Sequence, residues 1–187
     1  MLEKSIFKKP KRIERKLGDW LHRKEYAAGS RGKRVHNGQR KLLLCEIEFL
    51  CKYACNDSIV VYAGAALGSH IPTLVSLFPC VREWHLWDPG RFADNVWALH
   101  DTEPDHVFIY RELFTHKTAR DFKNKHVSRH ILFISDVRLN AYDEDAIRHD
   151  MYQQYDWSIC LNADVSMVKF RLPYPTDGPI GDDETFI

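Results

Sequence analysis

The sequence predicts an α/β domain built on a mainly parallel sheet with helices on both faces. Three observations carry this expectation. Short runs rich in β-branched and aromatic residues alternate with longer helical stretches. The first run is followed at once by a glycine loop, Gly64-x-x-x-Gly68. Two aspartates, Asp88 and Asp136, stand at the ends of later runs. A length of 187 residues suits one domain with a real core.

Each element has its own reason. Residues 38–52 carry Leu42, Leu43, Cys45, Ile47, Phe49 and Leu50, a largely apolar helix with Lys41 near its N-terminal end. The run 58–62, Ser-Ile-Val-Val-Tyr, reads as a buried strand from its length and β-branching. A helix near 70–78 follows, then a strand over 83–88, a helix near 91–99 and a strand over 106–110. Residues 129–135 form the most apolar strand, with Asp136 at its C-terminal end, where open α/β sheets bind ligands. Residues 143–162 set Ile147, Met151, Tyr155 and Ile159 at intervals of four, one side of a long helix. Asp143, Glu144 and Asp145 sit at its positive end. A strand over 165–172 brings in Lys169, and Pro173 and Pro175 mark a loop. The expected organisation is a basic arm over 1–36, a domain over 37–175 and a tail over 176–187.

Composition narrows the class. No apolar run approaches the roughly 18 to 20 residues of a membrane span, and the basic N-terminal region lacks a signal-peptide core. Cys45, Cys51, Cys55, Cys80 and Cys160 lack paired zinc-site spacing and are expected to be buried, reduced thiols of a cytosolic protein. A net charge of +1 hides an asymmetry: residues 1–41 hold 14 of the 27 Lys/Arg and only 4 of the 26 Asp/Glu. This basic stretch, interleaved with Phe7, Trp20 and Tyr26, suits a polyanion with unpaired bases. A solvated leader without a partner is the other reading.

Right-handed crossovers place Gly64, Asp88 and Asp136 along one sheet edge. Asp88, 24 residues past Gly64, is placed to accept hydrogen bonds from ribose hydroxyls. A pyrophosphate-binding loop has a second glycine where this chain has Ala66. The spacing therefore favours a phosphate-free ligand such as S-adenosylmethionine; a plain packing turn remains the alternative. Lysines have a chemical use at such an edge, because deprotonating a poorly acidic hydroxyl needs a base. A second cation and desolvation make a lysine a usable base, and an aspartate can hold it in place. On their own, Lys41 also reads as a helix-surface lysine and Asp136 as a strand-end cap.

Four segments in this order carry a resemblance: Gly38-Gln39-Arg40-Lys41-Leu42-Leu43-Leu44-Cys45-Glu46, Val60-Val61-Tyr62-Ala63-Gly64 with Gly68-Ser69-His70-Ile71, residues 131–138, and Lys169-Phe170-Arg171-Leu172-Pro173-Tyr174-Pro175. From about residue 38 to 175 the chain resembles the poxvirus-type cap-specific mRNA nucleoside 2′-O-methyltransferases, whose poxvirus member is also the small subunit of the poly(A) polymerase. It is more distantly similar to the FtsJ-type RNA 2′-O-methyltransferases. The resemblance implies a Rossmann-like S-adenosylmethionine-dependent fold and a Lys-Asp-Lys-Glu tetrad, whose first three members match Lys41, Asp136 and Lys169. The glutamate is unmatched; Glu184 is the only glutamate beyond Lys169, and the chain stops 18 residues after that lysine. Either a fragment or a divergent member without the C-terminal strands fits this. Leu67 replaces the proline usual before the second loop glycine.

The same resemblance implies a cofactor pocket of Gln39, Tyr62, Gly64, Gly68, His70, Asp88 and Arg91. It also implies a cap site of Tyr174, Arg171 and Asp177, with Trp20 or Tyr26 as the opposite ring. Three readings follow: a cap-dependent mRNA 2′-O-methyltransferase, a silent RNA-binding subunit assisting a poly(A) polymerase catalytic subunit, and an FtsJ-type enzyme of structured RNA. The first implies capped mRNA as partner and a viral protein of the host cytoplasm or virion.

Overall fold

The computed structural model describes residues 37–139 and 143–170. Helix α1 (Asn37–Tyr53) leads into β1 (Ser58–Ala63). There follow α2 (Ile71–Leu77), β2 (Val81–Trp87), α3 (Asp94–Thr102), β3 (Val107–Tyr110), α4 (His116–Lys125), β4 (Ile131–Ser135), α5 (Glu144–Leu161) and β5 (Val165–Val168). The strands form one parallel sheet in the order β3-β2-β1-β4-β5.

All six residues of β1 and all five of β4 are buried, because both sheet faces are covered. Their side chains alternate between two cores. Val60, Tyr62, Trp84, Leu86, Leu132 and Ile134 face Phe49 and Leu50 of α1, Ile71, Leu74 and Val75 of α2, and Val96 of α3. Ile59, Val61, Ala63, Trp87, Ile131 and Phe133 face Ala119 and Phe122 of α4 and Trp157 and Leu161 of α5. The chain changes faces after β3, which puts the reversal of strand order between β1 and β4. Ligands of open α/β sheets bind at the carboxyl ends of strands at such a point.

Helix ends follow local chemistry. Thr115 caps α4 by accepting from the amide of Thr118, and Asp143 caps α5 by accepting from those of Asp145 and Ala146. Pro72 opens α2, where its missing N–H costs nothing. Asn162 ends α5 in the left-handed conformation, φ 54°.

The structure corrects four expectations. Helix α3 starts at Asp94, so Arg91 lies before it. Strand β5 ends at Val168, and Lys169 therefore follows the strand instead of sitting inside it. The buried stripe of α5 is Ile147, Asp150, Gln154, Trp157 and Leu161, whereas Tyr155 and Ile159 are exposed. A step of four overshoots the 3.6-residue turn, so a strict four-residue row winds off the core face. The five cysteines are free, as expected, but not buried: Cys45, Cys51 and Cys55 are exposed and Cys80 and Cys160 partly so. Three of them lie on or beside the outer side of α1.

Among the described residues no helix is long and apolar enough to cross a membrane. The arm over 1–36, with Trp20 and Tyr26, and the segment 171–187, with Arg171, Tyr174, Asp177 and Glu184, lie outside the described residues.

Candidate active site

The last residues of the strands stand in register: Ala63 pairs with Trp87 and Ser135, Trp87 with Tyr110, and Ser135 with Val168. The next residue of four of the five strands is a predicted site residue: Gly64, Asp88, Asp136 or Lys169. Each donates its amide to the final carbonyl of a neighbouring strand. Gly64 donates to Trp87 (2.9 Å), Asp88 to Tyr110 (3.1 Å), Asp136 to Ala63 (3.0 Å) and Lys169 to Ser135 (2.9 Å). The sheet ladder itself thus sets these four residues in a row at its C-terminal edge.

At the β5 end of the row, Lys169 Nζ lies 2.6 Å from Asp136 Oδ1. The pair is partly open to solvent, with side chains 38% and 23% exposed. Gly64 comes so close to this segment that a Cβ would stand 3.0 Å from the Val137 amide nitrogen, and its φ of 79° suits glycine alone. Gly68, at φ 70°, has the Ala65 carbonyl oxygen 2.6 Å from where a Cβ would be. Both predicted loop glycines are therefore required by backbone geometry.

The loop between them is anchored by Asp88, whose Oδ2 accepts from the Ala66 amide (3.1 Å) and Oδ1 from the Gly90 amide (2.7 Å). Each carboxylate oxygen has a second lone pair, which leaves capacity for a hydroxyl. The amide of Ala93 binds the Leu67 carbonyl (2.9 Å), and the Asn95 side chain binds that of Ser69 (2.9 Å).

Behind the loop lies a trio in which Glu46 and Tyr62 are buried and His70 partly so. Glu46, fully buried on α1, accepts from the Tyr62 hydroxyl at 2.6 Å, and His70 Nε2 lies 3.1 Å from Oε1 and 3.0 Å from Oε2. Burial and the adjoining Glu46 carboxylate push the Tyr62 phenol well above its usual value, and Asp136 adds to the effect.

On the other face, α5 holds the Asp136–Lys169 pair. The Lys169 amide donates to Gln154 Oε1 (3.1 Å), while Gln154 Nε2 donates to the carbonyls of Asp150 (2.9 Å) and Lys169 (3.4 Å). Asp150 Oδ2 accepts from the Leu139 amide (3.0 Å), and Arg138 reaches the Ile147 carbonyl (3.4 Å). Gln154 and Asp150 are both fully buried.

Of the predicted residues, Tyr62, Gly64, Gly68, His70 and Asp88 are brought together around the loop, and Asp136 and Lys169 meet beside it. Gln39 and Lys41 are exposed on the first turns of α1 and form no ion pair or hydrogen bond among the described residues. Arg91 is 78% exposed and pairs with Asp94 at 3.1 Å, a local surface contact. Glu46, Asp150 and Gln154 escaped the sequence reading. The signal for Glu46 was a lone carboxylate inside an apolar helix face, and for Asp150 and Gln154 a stripe spaced three and four residues apart.

The loop's chemistry bears on its ligand. At the start of α2 the Ile71 amide binds the Gly68 carbonyl, those of Thr73 and Leu74 bind His70, and Pro72 has none. No amide of that turn is left for a phosphate. The edge instead offers carboxylates, which suit hydroxyls and a cation, and this fits the phosphate-free cofactor expected.

Comparison with known proteins agrees with this architecture. A family model described as the poly(A) polymerase regulatory subunit matches residues 14–178. A cap-specific mRNA (nucleoside-2′-O-)-methyltransferase of Fowlpox virus (strain NVSL) is 30% identical over 149 residues, 74% of this chain and 47% of the relative. The protein of the same name from Myxoma virus (strain Lausanne) is 30% identical over 155 residues, 76% of this chain and 44% of the relative. The chain spans a little under half the length of these relatives. With its α/β sheet, its glycine loop and a match over most of its length, the chain belongs to the poly(A) polymerase regulatory subunit family.

Proposed function

We propose that the chain carries the S-adenosylmethionine-dependent methyltransferase domain of an RNA-modifying protein, acting on the ribose 2′-hydroxyl of capped mRNA. The observation that supports it most is the Lys169–Asp136 pair, 2.6 Å apart, beside the glycine loop at the point where the strand order reverses. Tyr62, Gly64, Gly68, His70 and Asp88 form the cofactor pocket, with Gln39 and Arg91 at its rim. Bound there, S-adenosylmethionine supplies an electrophilic methyl group on a cationic sulfur.

Asp136 fixes Nζ of Lys169 at the edge of this pocket. Lys169 Nζ would take up the 2′-hydroxyl proton when the methyl group passes to the ribose oxygen and its bond to sulfur breaks, the electron pair staying on sulfur. Orientation is the larger part of the task, because attack must come in line with the breaking bond. Lys41 adds a cation that steers the ribose and its phosphates. The methylated guanine, a cationic ring, stacks on Tyr174, with Arg171 and Asp177 beside it.

A second reading has its own support. The matched family is described as a polymerase regulatory subunit, which favours an RNA-binding role beside a poly(A) polymerase catalytic subunit, the basic arm contacting the transcript. The deciding experiment incubates the chain with radiolabelled S-adenosylmethionine and matched capped and uncapped short RNAs, with Lys169→Ala as control. Cap-dependent label lost in the variant supports the enzyme. RNA binding without transfer supports the subunit, and equal label on uncapped structured RNA supports an FtsJ-type activity.

A further inference from the structure

Below the carboxyl edge of the sheet, where the middle of β2 meets the end of α4, three side chains able to ligate a metal converge. Glu83 and His85 alternate on the sheet face covered by α4, and His126 caps the C-terminal end of that helix. One donor atom of each lies within 4.8 Å of the others. Glu83 Oε2 and His85 Nε2 are 3.0 Å apart. A tetrahedral zinc site with nitrogen and oxygen ligands needs donors about 3.3 Å from one another, a spacing that small side-chain rotations reach.

Two further features point to a ligand. His126 Nε2 is buried with no hydrogen-bond partner among the described residues, a state that buried polar atoms rarely tolerate. His85, 3% exposed, has its other nitrogen, Nδ1, 3.0 Å from the Tyr110 hydroxyl. Histidines that bind metals almost always donate their second N–H to an outer partner, which fixes the ring and the tautomer. A carboxylate beside Nε2 assigns Nε2–H as the donor to Glu83 in the metal-free protein, which leaves Nδ1 to accept from Tyr110. Moving that one proton from Nε2 to Nδ1 frees the Nε2 lone pair and turns Tyr110 into the acceptor. The rings are held firmly for the purpose: His85 stacks on Phe108 at 4.6 Å, and His126 on Phe122 at 4.1 Å.

We propose that Glu83, His85 and His126 form a binding site for a zinc-class divalent ion, two imidazoles and one carboxylate, with water at the fourth position from the open side of Glu83. The ion clasps the C-terminal end of α4 to strand β2. One carboxylate beside Arg82, Lys125 and Arg129 gives little net attraction for hard cations, so selectivity rests on the imidazole nitrogens and favours zinc over magnesium or calcium. This inference does not depend on the methyltransferase reading.

The test titrates chelator-treated full-length chain with Zn²⁺ against a chromophoric chelator and records the absorption spectrum with Co²⁺. One equivalent is expected, with a cobalt d–d spectrum lacking thiolate charge transfer, since no cysteine joins the cluster. His126→Ala, at a half-buried position, and Glu83→Gln each weaken that equivalent more than Tyr110→Phe, which loses only the outer partner and costs about 10- to 100-fold. Absence of a bound equivalent, thiolate absorption, or an equivalent unchanged in His126→Ala overturns the proposal. Circular dichroism of each variant separates lost binding from lost folding.

Discussion

Two largely buried polar clusters brace the carboxyl edge of the sheet from opposite faces, and they do so differently. On the face of α1 and α2, Glu46 binds side chains: the Tyr62 hydroxyl at 2.6 Å and the His70 imidazole at 3.1 Å. On the face of α5, Gln154 and Asp150 bind mainly backbone: the amides of Lys169 and Leu139 and the carbonyls of Asp150 and Lys169. The first cluster shapes the wall behind the glycine loop and is built of ionisable side chains. The second sets the path of the chain on either side of the Asp136–Lys169 pair. A wall of side chains is sensitive to charge and pH, whereas a backbone brace is sensitive to geometry.

Changes at the pair itself should be largest. Lys169→Ala is expected to lower methyl transfer by about 10²- to 10⁴-fold, the range for loss of a general base, while cofactor binding measured by calorimetry persists. Loss of cofactor binding as well would place Lys169 in the wall rather than the pair.

Glu46→Ala leaves a buried phenol hydroxyl and imidazole without their acceptor and is expected to cost about 3 kcal/mol or more of stability. Urea unfolding measures it, and a change below about 1 kcal/mol would show that Glu46 does not brace the loop. Gln154→Met keeps the volume but removes the side-chain bonds to the Lys169 backbone. Its expected signature is a transfer rate down by about tenfold or more with KM for the cofactor unchanged, because a displaced base harms the reacting geometry. Equal effects on both parameters would merge the two clusters into one.

The pH dependence separates them further. The Tyr62 phenol titrates higher in the folded chain than in the unfolded one. Its contribution is complete below the unfolded value near 10 and is lost as pH rises towards the folded one, since the unfolded chain then binds fewer protons. Wild-type stability should therefore fall above about pH 10 more steeply than that of Tyr62→Phe, as read from urea midpoints against pH. The smallest effect belongs to Arg91→Ala: its exposed pair with Asp94 is worth about 0.5 kcal/mol at most, and a larger loss of cofactor affinity would put Arg91 in the pocket.

Much of the site was legible in advance because it is local. Gly64 and Gly68 lie in a loop directly after a strand, and Asp136 ends an apolar run, so their type and place predicted their position at the sheet edge. Lys41 and Gln39 were equally legible as residues of a motif, yet the structure leaves them exposed on α1, without contact to the pair. Glu46, Asp150 and Gln154 were hidden for the opposite reason. A polar residue on a helix reads as solvent-facing until its partners are known, and apart from the Gln154–Asp150 bond within α5 theirs lie 11 to 24 residues away.

The sequence by itself determined the α/β alternation, the parallel strands and the glycine loop, because hydrophobic pattern, β-branching and glycine's access to positive φ are properties of neighbouring residues. Only the tertiary structure decided the strand order, the change of faces after β3 and therefore which strand ends meet. It also decided that Lys169 stands one residue past its strand and reaches Asp136. Those outcomes depend on which distant segments pack together, and burial makes the polar ones specific: a buried carboxylate or amide must find a partner, and the fold supplies it from far along the chain.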